Sequence, residues 1–250
     1  MPTHVFPPRR TPPAPVRVRR PAVLRGQIRS TCALGAALLC LVAQPALAQS
    51  DRCSELPPPS VTIKHFDEPV TFNTRFSYKE LTHLGAAAVR PGQQVLGLTR
   101  GKAVVQFASE MPTYRDPTQR WECFSPQITL TIGFSPMTVY VAKEFPEGSC
   151  AYQEIYAHEQ RHVKTYQAHL ASMEISLGET LRRRFATGRP WRGEQGEARA
   201  QLLREIQERW TPYVQREFTR GDAAQALLDT PEEYERVASS CDGEIRKRLR

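Results

Sequence analysis

The sequence predicts an α+β fold, an N-terminal antiparallel β-sheet followed by a helical C-terminal half. Three observations carry this reading. β-Branched and aromatic residues cluster or alternate between Val61 and Phe145, in runs separated by proline, glycine and polar loops. From Ser149 to Phe185 the chain then holds one glycine and no proline, a composition suited to one long helix. Further helical stretches follow, the last opening at DTPEEYERV with Pro231 in a first-turn position.

In chain order, residues 1–30 contain seven arginines and no acid, and the apolar run TCALGAALLCLVAQPALA (31–48) follows. A basic segment, an apolar stretch and Ala-Leu-Ala before Gln49 predict a secretory signal cleaved after Ala48, and hence a periplasmic or secreted protein. The apolar run is too short and interrupted for a membrane span. Cys40 raises the alternative of a lipid anchor, but Leu39 before it is bulkier than lipoprotein processing usually accepts. The leader is long for such a signal, so a translation start further along the chain stays open. The whole chain has 34 basic and 26 acidic residues and a net charge of +8. All the acids lie after residue 48, which leaves 27 basic against 26 acidic residues, or +1, in the mature part. The basic excess belongs to the leader, and it argues for no nucleic-acid partner.

One mature domain is expected over 49–250, with a linker at 49–60, a β-rich part at 61–147 and a helical part at 148–250. ELPPPS (55–60) is extended because proline excludes regular helix. VTIKHF and VTFNTRFSY read as strands, and KELTHLGAAA as a short helix ending near Gly85. QQVLGLTRGKAVVQFAS reads as a hairpin turning at Arg100-Gly101, and PTYRDPTQR as a polar loop. PQITLTIGF and TVYVAKEF read as a second hairpin, turning at SPM. If Phe134 faces Thr138, the same register brings position 123 opposite position 149. A Cys123–Cys150 bridge follows from that register, and Cys53–Cys241 is the pair that remains; separately buried thiols are the alternative. Export makes disulfides permissible. Ser149 is the expected N-cap of the long helix, and a second helix is expected over about 194–219.

The long helix carries AHEQRH (157–162). Ala151, Ile155, His158, His162, Thr165, His169 and Met173 share one face, and Ile155 and Met173 turn that face inward. Histidines one turn apart can aim ring nitrogens at a common point, as a zinc ion requires of two ligands. Glu159 stands about 100° around the helix from His158, where zinc peptidases keep the glutamate that takes a proton from water. Ordinary packed or surface histidines are the bland alternative.

HEQRH looks like the active-site helix of zincin metalloproteases. The wider stretch VYVAKEFPEGSCAYQEIYAHEQRHVKTYQ resembles a family of predicted secreted, zinc-dependent bacterial proteases, with the clear similarity confined to residues 121–170. The resemblance implies that His158 and His162 are zinc ligands and that Glu159 is the general base.

The third ligand is open. His169 invites comparison with the longer metzincin motif, but its gap from His162 is seven rather than six, and Thr165 stands where that motif has glycine. In an unbroken helix His169 lies about 10 Å beyond His162, too far to share one ion. An acid from a following helix fits better. Glu217 and Asp222 are candidates if the first two helices pair antiparallel, and Glu235 is their rival; His65 and His83 are weaker. Tyr166, His169 and Tyr234 are candidates for stabilising an oxyanion, and the edge of TVYVAKEF for holding an extended peptide. The expected activity is hydrolysis of peptide bonds by a zinc-activated water, on a peptide or protein substrate. The alternative from another class is a non-catalytic envelope binding or assembly factor that retains the zinc site.

Overall fold

The computed structural model describes residues 51–249, except 67, 87–92 and 119. The chain divides into two units, Met1–Leu47 and Ala48–Arg250, and the described residues all belong to the second. The export signal expected over residues 1–48 lies outside them. Among the described residues, no helix is long and apolar enough to cross a membrane.

The α+β class holds, but the main sheet is mixed rather than antiparallel. Its strands are β1 (Ser60–Phe66), β2 (Thr71–Asn73), β3 (Gly97–Glu110) and β6 (Gln127–Val141). β6 is central. β1 and β2 follow one another along one of its edges, both parallel to it, and β3 runs antiparallel along the other. A second, small sheet joins β4 (Thr113–Arg115), β5 (Trp121–Phe124) and β7 (Trp191–Glu194). The run expected to be a polar loop therefore contains a strand. Between β2 and β3, helix α1 (Tyr78–Leu84) is closed at its start by the Ser77–Glu80 capping box and ends at Gly85, as expected.

The two expected hairpins are not hairpins. Each is one long strand, and the two turn signals meet at a single irregularity between them. Gly101 pairs with Met137 and Ala103 with Phe134, so the register shifts opposite Ser135-Pro136, whose peptide is cis. Proline cannot donate to the ladder, and a bulge accommodates it. Gly101 serves close approach rather than a turn: a Cβ there would stand 2.9 Å from the Phe134 ring.

Loss of the second hairpin also overturns the expected disulfides. Cys123 precedes β6 and Cys150 follows it, so nearly the whole strand separates them, on the order of 45 Å at about 3.3 Å per residue. The bridges are Cys53–Cys123 and Cys150–Cys241. Two bridges fit an oxidising environment.

Helix α2 (Cys150–Phe185) is a single 36-residue element whose Ser149 Oγ accepts from the Tyr152 amide, the N-cap expected. The second expected helix starts later and ends later, because residues 191–194 are taken up as β7 against β5. It comprises α3 (Ala198–Glu205), a π-helical turn (Ile206–Trp210) and α4 (Thr211–Ala226). Helix α5 (Pro231–Ser239), with Thr230 as N-cap, and α6 (Glu244–Arg248) complete the chain.

Two apolar clusters flank the motif on α2. Met173, Leu177, Leu181 and Phe185, four residues apart, pack with Ile128, Leu130 and Ile132 of β6 and with Leu202, Trp210, Val214 and Phe218 of α3–α4. Nearer the helix start, Ala151 and Ile155 pack with Val141, Phe145, Val237 and Ile245. His158 and His162 lie between, where α2 passes the start of β3 and the α4–α5 connection.

Candidate metal centre

His158 and His162 are each 8% exposed and Glu159 4%, so the helix face carrying them points inward. Their rings converge. His158 Nε2 and His162 Nε2 are 3.1 Å apart, and Asp229 Oδ1 stands 3.2 Å from the first and 3.3 Å from the second. Three potential ligand atoms thus form a nearly equilateral triangle that could hold a metal ion. Its edges fit such an ion: tetrahedral bonds of about 2.0–2.1 Å require ligand atoms roughly 3.3 Å apart.

The groups behind the triangle set which nitrogens face it. His162 Nδ1 lies 2.7 Å from Gln225 Oε1, and the Gln225 amide is oriented by its Nε2 donating to the His162 carbonyl oxygen at 3.3 Å. His158 Nδ1 lies 3.2 Å from Glu233 Oε1. His162 Nδ1–H then donates to Gln225 Oε1, which leaves its Nε2 lone pair facing the triangle, whereas His158 Nδ1 also lies 2.8 Å from Arg161 Nη2. Glu233 is itself held by Arg161 and Arg236. Hydrogen bonds from Arg236, and beyond the opposing effect of burial those from Arg161 and His158, bring its pKa down to about 2.

Asp229 and His162 shift in opposite directions because each stands beside the other. Burial works against an Asp229 carboxylate and against a charged His162. The hydrogen bonds and charges between imidazoles and carboxylates outweigh burial, so Asp229 falls well below the usual carboxylate range and His162 rises above that of histidine. A site this ready to take positive charge from a proton is also chemically suited to a cation.

Glu159 sits beside the triangle and is not part of it. Burial raises its pKa, against the nearby His162 and His158 and the Thr99 hydrogen bond. Thr99 Oγ1 donates to Glu159 Oε2 at 2.7 Å. Gly97 gives the carboxylate its space, since a Cβ there would stand 2.6 Å from Oε1. A cavity of about 390 Å³ opens over these groups, with Tyr166 and Tyr234 among its walls. Burial and the neighbouring carboxylates raise the pKa of both phenols.

The acids expected to supply the third ligand do not reach the centre. Glu217 is buried but its carboxylate takes both bonds from Arg220. Asp222 is exposed, and Glu235 pairs with Arg246 at 2.5 Å. His169 Nε2 meets the Glu217 carbonyl oxygen at 2.8 Å, and its ring packs on Gly221, where a Cβ would approach to 2.8 Å. It fastens α4 to α2. His65 pairs with Glu174, and His83 is exposed on α1. The strand TVYVAKEF offers no free edge, because β2 and β3 flank it.

Sequence reasoning passed over Asp229, and with it Gln225, Glu233 and Thr99. The one available signal was position: Asp229 directly precedes the N-cap of the helix opened by Thr230-Pro231. No protein-family model matches the chain, and no curated protein or solved structure is significantly similar to it.

Proposed function

We propose that this chain is an exported, periplasmic or secreted zinc-dependent hydrolase of peptide bonds. The observation that carries the reading is the convergence of His158 Nε2, His162 Nε2 and Asp229 Oδ1 beside a buried carboxylate, Glu159, held by Thr99. Two imidazoles and one carboxylate match a catalytic zinc site, in which three protein ligands leave a position open; structural sites usually have four ligands, often thiolates. Here all four cysteines among the described residues are used in disulfides. When bound, zinc supplies a Lewis acid for a carbonyl oxygen and a water whose pKa is drawn towards about 7.

The remaining chemistry belongs to side chains. Thr99 fixes Glu159 by Oε2, so Oε1 is the atom that receives a proton from water. Burial makes that carboxylate a stronger base than a surface glutamate. Tyr234 and Tyr166 keep their protons and line the same cavity, which equips either phenol to donate to an oxyanion. The start of β3, Gly97–Thr99, forms one wall of the cavity, and among the described residues no strand pairs with its outer edge. That edge suits an extended peptide held by main-chain hydrogen bonds.

The proposal is tested by Glu159→Gln. The variant is expected to retain zinc at the wild-type level and to lose peptide hydrolysis by about 10²- to 10⁴-fold. Unchanged hydrolysis would remove Glu159 from the reaction. A wild type that binds zinc but cleaves no peptide in a broad library would favour the non-catalytic envelope factor.

A further inference from the structure

The segment after α4 supplies most of one side of the metal centre. Asp229 is a member of the triangle, Glu233 backs His158, and Tyr234 and Val237 line the cavity. Apart from one covalent bond, its hold on α2 consists of ion pairs and a small apolar cluster. Arg161–Glu233 and Arg236–Glu154 are ion pairs of partly exposed arginines, which contribute little in water. Val237 and Ile245 are its buried apolar anchors. The covalent tie is Cys150–Cys241, which joins the first residue of α2 to the turn after α5.

This bridge and the metal triangle are the two ends of one closed ring. The ring runs along α2 from Cys150 to His158, about 12 Å of helix, crosses at the triangle to Asp229 and returns through α5 to Cys241. The turn at Cys241 is not one the chain adopts by preference. Cys241, Asp242 and Gly243 have φ of 53°, 54° and 72° in succession. Left-handed backbone at two consecutive non-glycine residues persists only where the surroundings impose it.

We infer that Cys150–Cys241 is a redox latch on the metal centre. Oxidised, it holds Asp229 and Glu233 against the two histidines; reduced, it lets the 227–249 segment leave, and the histidines lose their third partner. This rests on the zinc reading above. A dithiol opens the latch by exchange: its thiolate attacks one cysteine sulfur and displaces the other cysteine, its second thiol then releases the first cysteine from the mixed disulfide, and two cysteine thiols and the dithiol's own disulfide result. A disulfide oxidant closes it by the reverse exchange. The centre is thereby completed only where the chain meets an oxidising environment, and a hydrolase would stay inactive before export. Cys53–Cys123 ties the N-terminal segment to β5 and plays no part.

The experiment compares zinc affinity, by competition with a chromophoric chelator, in the wild type and two double variants. Cys150→Ser/Cys241→Ser is expected to bind zinc about 10- to 100-fold more weakly, the range seen when a metal-orienting partner is lost. Cys53→Ser/Cys123→Ser is expected to stay within about 3-fold of wild type, well below that range. Equal affinity in all three proteins overturns the latch while leaving the zinc reading intact. Equal weakening in both variants also overturns it, since general destabilisation then suffices. A wild type that binds no zinc removes the zinc reading itself, and the latch with it. Should the first variant not fold, hydrogen exchange on the wild type under a phosphine reductant decides. Exchange rising first over 228–249 supports the latch, and a uniform rise across β1, β3 and β6 contradicts it.

Discussion

Gly97 and Gln225 each support the centre without entering the triangle, and each can be tested alone. A methyl at position 97 would stand 2.6 Å from Glu159 Oε1 and 2.7 Å from Ile155 Cγ2. Gly97→Ala is expected to cost about 1–3 kcal/mol, the range for overpacking a filled interior. It should also depress hydrolysis by displacing the carboxylate. Thermal melts and single-substrate kinetics check the two effects. Gln225→Ala removes the acceptor for His162 Nδ1 and is expected to weaken zinc binding about 10- to 100-fold with little change in fold, read by the same chelator competition. The histidine pair and Glu159 were legible in the sequence because the 3.6-residue period fixes their relation within one helix. Asp229 was not, since no local period links residue 229 to residue 162. Only the path of the chain between them does, and a lone acid before an N-cap looks like any other.

At the level of elements, α1 was legible from its end near Gly85, α2 from its N-cap Ser149 and α5 from Pro231 in its first turn. β3 and β6 were each read as two strands because glycine and proline signal turns more often than bulges. Their meeting point is a packing contact, Gly101 under Phe134, that neither strand discloses by itself. The junction of α2 with α3 supplies a pH-dependent test. Arg184 holds Glu205 by two bonds, of 2.8 and 2.6 Å, and Trp210 Nε1 donates to the same carboxylate at 3.0 Å. Burial would raise the Glu205 pKa, but these hydrogen bonds and the charges of Arg184 and Arg209 bring it below the ordinary value. A lowered folded pKa gives stability that is present above the unfolded glutamate value of about 4.3 and is lost as pH falls through the folded one. Glu205→Gln is therefore expected to lower stability by about 1 kcal/mol at neutral pH, a figure discounted for the exposed guanidinium. The deficit should shrink in acid. Denaturant melts at pH 7 and pH 3 check it.

For the whole molecule, the α+β class followed from the order of strand-like and helix-like composition, but strand direction did not. β1 and β2 join β6 from a distance in sequence and run parallel to it, a pairing set by long-range topology rather than by local alternation. The disulfide pairing failed for the same reason, as it was built on a local register. The account also ties the centre to global stability, because β3, α2 and α5 all contribute to its walls. A ligand that binds only the folded state at 100 times its Kd adds about 2.7 kcal/mol. Zinc is thus expected to raise the melting temperature by about 5–10 °C in a domain of this size, and chelation to reverse the rise. The central claim is that Asp229 completes the site begun by the two histidines. Its most direct test is zinc content after gel filtration, for the wild type and Asp229→Ala side by side. One zinc per wild-type chain and a large loss in the folded variant is the predicted result; equal zinc in both, or none in the folded wild type, would contradict it.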